Sequence, residues 1–102
     1  MGSKMVNLRK HIRFVPDSGT IAEIDVSSSD VESFSPTISG LVFEESFKGC
    51  GLTLLRTAAT QGFKVDMQFL IRVGKIGPLY AEVRWRKDLD EKVMNIGVYF
   101  LD

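Results

Sequence analysis

An all-β fold is what this sequence predicts: a six-stranded antiparallel β-barrel with a flexible N-terminal arm and no C-terminal helix. Three observations carry the expectation. Apolar and polar side chains alternate with period two through much of the second half, the pattern of half-buried strands. No stretch has the 3.6-residue periodicity of a long amphipathic helix. About six strand-like segments fall within 102 residues, and closing short strands into a barrel removes their exposed edges.

The elements follow in chain order. Met1-Gly2-Ser3-Lys4 resembles an expression scar before a native Met5, and residues 1–7 are expected to form a flexible N-terminus ahead of one domain spanning 8–102. Pro16-Asp17-Ser18-Gly19 is turn chemistry, and residues 20–24 follow as a strand. Residues 27–36 are Ser-rich and polar, a loop with room for a helical turn at 30–33. Residues 40–44 and 52–55 are strand-like on either side of a glycine-containing bend, and 56–61 fits either a loop or a short helix. Phe63, Val65, Met67, Phe69, Ile71 and Val73 share one face of a long strand, with Leu70 the apolar exception on the other. Gly74-Lys75-Ile76-Gly77-Pro78 is a turn. Leu79, Ala81, Val83 and Trp85 then alternate with Tyr80, Glu82, Arg84 and Arg86. After a charged loop at 87–92, Met94, Ile96, Val98 and Phe100 mark the closing strand. The last three strands read as a meander.

Composition excludes several classes of function. Hydrophobic residues at 44% and charged residues at 25% are globular proportions, which argues against wholesale disorder. Thirteen Lys and Arg balance thirteen Asp and Glu, whereas general DNA or RNA binders carry a basic excess. No apolar run approaches the roughly 18 residues of a membrane span, and the N-terminus lacks the apolar segment of a secretory signal. Cys50 is the sole cysteine and His11 the sole histidine, too few for an intrachain disulfide or the usual structural zinc set. A reducing cytoplasm is the simplest compartment, and neither a metal nor a cofactor is expected.

Catalytic constellations are missing too. His11 lies among Arg9, Lys10 and Arg13, where positive neighbours disfavour imidazolium and no acid orients the ring. There is no nucleophile elbow and no phosphate-binding Walker loop. Glu44 and Glu45 are adjacent, so a strand sends them to opposite faces and they make a poor acid/base pair. No catalytic residue is assigned, and the chain is not expected to be an enzyme.

Two short motifs remain. Leu8-Arg9-Lys10-His11-Ile12-Arg13 reads either as a solvated basic arm or as an anion site. In the second case a tight curl brings the guanidiniums of Arg9 and Arg13, four positions apart, to one ligand, and each offers a planar fork suited to phosphate. Glu44-Glu45-Ser46-Phe47-Lys48-Gly49 reads either as a plain β-turn or as a place where Gly49 lets backbone approach a ligand while Ser46 offers a hydroxyl. Trp85 reads as core or pocket wall ahead of ligand stacker, Cys50 as a small packed residue, and Arg84 and Arg86 as solvated, with a place near the ligand site the alternative for Arg84. Tyr99 and Leu101, with Leu70 and Tyr80, suggest an outer apolar stripe that serves a partner or lies under the N-terminal arm.

In this order the two motifs resemble the PilZ domain family, whose signature is Arg-x-x-x-Arg followed by Asp/Asn-x-Ser-x-x-Gly. Here Arg9-x-x-x-Arg13 precedes Glu44-x-Ser46-x-x-Gly49. Gly49-Cys50-Gly51-Leu52-x-Leu54, Ala81-Glu82-Val83-Arg84-Trp85 and Ile96-Gly97-Val98-Tyr99-Phe100 resemble the family's third, fifth and closing strands, so the likeness runs from about residue 8 to 101. The resemblance implies a barrel that binds the bacterial second messenger cyclic di-GMP. Carried over residue by residue, the ligand-binding set is Arg9, Arg13, Glu44, Ser46 and Gly49, with Leu8 as a looser candidate for setting how the ligand packs. The chemistry agrees. Cyclic di-GMP is a dianion with two flat purines, each charged hydrogen bond to it contributes roughly 1.5–3 kcal/mol, and guanidiniums stack on purines.

Two residues depart from the family pattern. Glu44 stands where the family has Asp or Asn, and Glu45 replaces an apolar residue beside a dianionic ligand. Two functions are therefore weighed: a cyclic di-GMP receptor that acts on an unidentified downstream protein, and a PilZ-like adaptor that no longer binds the nucleotide. A third, a barrel for single-stranded nucleic acid, would need exposed aromatics beside a basic groove, which neutral charge disfavours.

Overall fold

The computed structural model describes residues 13–14 and 19–101. Its strands are β1 (Arg13–Phe14), β2 (Ile21–Asp25), β3 (Ile38–Ser46), β4 (Gly49–Leu55), β5 (Gln68–Val73), β6 (Ile76–Asp88) and β7 (Val93–Leu101). Sheet order runs β3-β2-β5-β6-β7-β4, and β4 pairs back onto β3. The result is a closed six-stranded antiparallel barrel. The two-residue β1 is an addition to it, laid along β3 with Arg13 opposite Ser46 and Phe14 opposite Glu45. The expected arm at 1–7 lies outside the described residues, as do Leu8, Arg9 and His11. Among the described residues no helix is long and apolar enough to cross a membrane.

Alternation builds the core as expected. Ala22, Ile24, Leu52, Ile71, Ala81, Val83, Met94 and Ile96 point inward and are fully buried. Phe63 and Phe69 pack with ring centroids 5.4 Å apart. One end of the barrel is tied by Arg86, whose guanidinium donates to the carbonyls of Phe63 (2.8 Å) and Gln61 (3.2 Å) and to Asp88 (2.8 Å). On the outer surface Arg72 donates to Glu23 directly across the ladder, at 2.6 and 3.0 Å, and its guanidinium lies over Phe34.

The Ser-rich segment is a loop with one 3-10 turn, Val31–Ser33, capped by Asp30. Asp25 anchors it. This buried carboxylate accepts from the backbone N–H groups of Ser35 (2.7 Å), Ser27 (2.8 Å) and Ser28 (3.1 Å). Those bonds hold its pKa well below the usual carboxylate range. Leu70, the exception in the alternation, lies between Asp25 and Tyr80 in the ladder and is fully buried, though it is not part of the barrel core. That part of the expected outer apolar stripe is therefore covered.

Four sequence expectations are corrected. The long strand at 63–73 is only Gln68–Val73, because Asp66 takes a positive φ of 78° and turns the chain, leaving Val65 exposed. The strand before the last one starts at Ile76 and runs to Asp88, so the flanking turn and charged loop are shorter than expected. The bend after Ser46 is also short, since β4 begins at Gly49. Trp85 does not share the face of Ala81 and Val83. Register shifts between Val83 and Trp85, a β-bulge that turns the tryptophan outward, where it is 42% exposed.

Candidate functional site

The β3–β4 hairpin positions the predicted site. Ser46 ends β3 and Gly49 starts β4, with Phe47 and Lys48 at the tip. The Ser46 hydroxyl accepts from the Lys48 N–H at 3.2 Å and donates to the Gly49 carbonyl at 3.4 Å, tying the turn from within. The neighbouring strand closes on this tip: the Phe100 N–H donates to the Lys48 carbonyl at 2.7 Å. Gly49 is required by that closeness. A Cβ there would overlap the Val98 carbonyl oxygen and lie 2.9 Å from its carbon and 3.1 Å from Tyr99 Cα.

Two bulges shape the outer surface beside the hairpin. In β3 register shifts between Val42 and Glu44; in β6 it shifts at Arg84. Between them Gly51 of β4 faces Gly97 of β7 across the ladder. Each glycine lies beneath an aromatic ring. The Phe43 ring would come within 2.5 Å of a Cβ on Gly51, and Trp85 Cδ1 within 2.8 Å of one on Gly97. Glycine inside a strand marks such close approaches.

A depression of about 190 Å³ results, lined by Glu44, Ser46, Lys48, Arg84, Trp85 and Tyr99 over a floor that includes Gly49 and Gly97. Glu44, Ser46 and Gly49, predicted from sequence, thus come together, and Arg13 is paired through its backbone with Ser46. Arg9 lies outside the described residues. Glu45 also reaches the depression. It stands opposite Cys50, whose thiol is pushed up to about 12 by burial and, secondarily, by the Glu45 charge.

Sequence reasoning did not assign Lys48 or Tyr99 to the site and left Arg84 between a solvated face and the neighbourhood of the ligand. Arg84 is the extra residue of the β6 bulge. Its guanidinium lies 4.6 Å from the centre of the Tyr99 ring and 3.7 Å from the Glu82 carboxylate. The available signal was the pair Gly51 and Gly97, small residues in otherwise apolar strands. Among the described residues no cluster of His, Cys, Asp or Glu is suited to hold a metal ion.

No protein-family model matches the chain, and no curated protein does. Among solved structures it is similar to the PilZ domain of YcgR from Escherichia coli, determined with cyclic di-GMP. The match has a TM-score of 0.63 at 17% identity and covers 94% of this chain and 79% of that one. The fold is PilZ-like.

Proposed function

We propose that this PilZ-like barrel is a cyclic di-GMP receptor that passes ligand occupancy to a downstream protein through altered contacts and performs no chemistry of its own. One observation carries the reading: Glu44, Ser46 and Gly49 line a single depression, and β1 brings Arg13 beside Ser46. A guanidinium pair from Arg9 and Arg13 suits a phosphate dianion, and the flat walls suit purines. The similar domain solved with this nucleotide supports the choice of ligand. A bacterial cytoplasm is the compartment in which such a receptor works.

Calorimetric titration with cyclic di-GMP, beside GMP and cyclic di-AMP, tests the proposal. Selective saturation that Arg9→Ala or Arg13→Ala abolishes is the expected result; micromolar affinity corresponds to about −8 kcal/mol. Absence of heat at several temperatures, with the fold intact, refutes it. The second reading, an adaptor without nucleotide, is favoured by Glu44 and Glu45, two carboxylates on the lining of the depression. It predicts no response even at high ligand concentration.

A further inference from the structure

We infer that Arg84, in contact with Tyr99 and Glu82, is a ligand-gripping cation of the depression and sets its affinity for the anion; this rests on the nucleotide-receptor reading. The argument begins with charge. Among the described residues lining the depression, Glu44, on the face of Gly51, is opposed by Lys48 and Arg84, while Glu45 stands on the face of Cys50. Lys48 is at the exposed hairpin tip, where solvent screens it. Without Arg84 that face, among the described residues, would keep no net positive charge to offer a dianion.

Geometry gives the same assignment. A regular β6 would send Glu82 and Arg84 outward and Trp85 inward, as alternation requires. The bulge instead keeps Arg84 unpaired while Val83 stays opposite Val98 and Trp85 goes opposite Gly97. Bulges re-aim side chains in this way beside functional sites. Tyr99 sits directly across from Glu82, and the Arg84 guanidinium lies over its ring, 4.6 Å from the centre, a cation–π contact that restrains it. The Glu82 contact, at 3.7 Å, is too long for a strong hydrogen bond. It holds the arginine loosely and competes with any anion that arrives. With its side chain 48% exposed, Arg84 has donors left for a ligand.

The test is calorimetric titration of the full chain with cyclic di-GMP at low and high salt, using Arg84→Ala, Arg84→Lys and Glu82→Gln. Arg84→Ala is expected to weaken binding about tenfold, as one partly screened charge-assisted bond implies, and to flatten the salt dependence. Arg84→Lys restores charge without a planar fork and should fall between. Glu82→Gln removes the competitor and should tighten binding about twofold to threefold, since partly exposed ion pairs are weak; a merely structural ion pair would not produce that gain. Unchanged affinity in Arg84→Ala and Glu82→Gln, with the unmodified chain binding, overturns this inference and leaves the receptor reading standing. Absence of binding by the unmodified chain overturns both.

Discussion

Replacing Gly49 by alanine should destabilise the barrel end that carries the depression, and the size of the effect follows from what the new methyl group would meet. Its nearest neighbours are backbone: the Val98 carbonyl and Tyr99 Cα, the latter 3.1 Å away. Non-bonded heavy atoms pack at about 3.5–4.0 Å, and the Val98 carbonyl oxygen is the nearest obstacle, so β7 must retreat by more than about an ångström. That stretches the bond from Phe100 N–H to the Lys48 carbonyl, now 2.7 Å, together with its ladder neighbours. Each such bond is worth about 1 kcal/mol, and overpacking typically costs about 1–3 kcal/mol. Alanine's smaller unfolded-state entropy returns about 0.5 kcal/mol. The expected net loss is about 2–3 kcal/mol, or a melting temperature lower by roughly 10–20 °C. Gly51→Ala is the control, because the obstruction there is the ring of Phe43, 44% exposed and able to swing aside. It should cost less than about 1 kcal/mol. Thermal and urea unfolding followed by circular dichroism measure both. A Gly49→Ala protein within about 0.5 kcal/mol of the parent would refute the packing argument. The same result bears on function: ligand binding lost in Gly49→Ala reports a damaged hairpin before it reports a lost contact.

Three further outcomes are expected. Because hydrogen bonds depress the Asp25 pKa, its contribution to stability is complete above the ordinary carboxylate range and is lost as pH falls below about 4; melting temperatures of Asp25→Asn should therefore lie below the parent at neutral pH and vary less between pH 5 and 3. Cys50, with its thiol pushed up to about 12, should resist a thiol-reactive dye at pH 8 and react on unfolding, and rapid labelling of the folded protein would contradict its burial. Asp66, at φ 78°, should accept glycine, whereas Asp66→Val should cost about 1–2 kcal/mol, since a β-branched residue suits that backbone poorly; equal unfolding midpoints for the two would count against a left-handed turn there.

Much of the barrel is legible in the sequence because one face of each strand is buried. Met94, Ile96 and Val98 alternate inward along β7 as read. Where the reading fails, one residue breaks the period. Asp66 turns the chain inside an otherwise regular run, and Phe63 is buried from a loop instead of a strand. Arg84 inserts itself into β6, so simple parity assigns Trp85 to the wrong face. Glu44, Ser46 and Gly49 were recoverable because they sit on one hairpin, close in sequence as well as in space. The meeting of Arg84 with Tyr99 was not, since it depends on a bulge and on register between separate strands, neither of which leaves a local pattern.

The seam between β4 and β7 has a consequence for assembly. Seven residue pairs join these strands, and the depression straddles them: Glu44, Ser46 and Lys48 come from one half of the chain, Arg84, Trp85 and Tyr99 from the other. Cutting the loop between Gln61 and Gly62, both exposed, would leave each fragment with half the lining of the depression and unsatisfied strand edges. Anything that occupies the depression then acts as a mortar between the halves, tightening their association by mass action. In a barrel divided there, pairing of the halves and occupancy of the depression would reinforce each other.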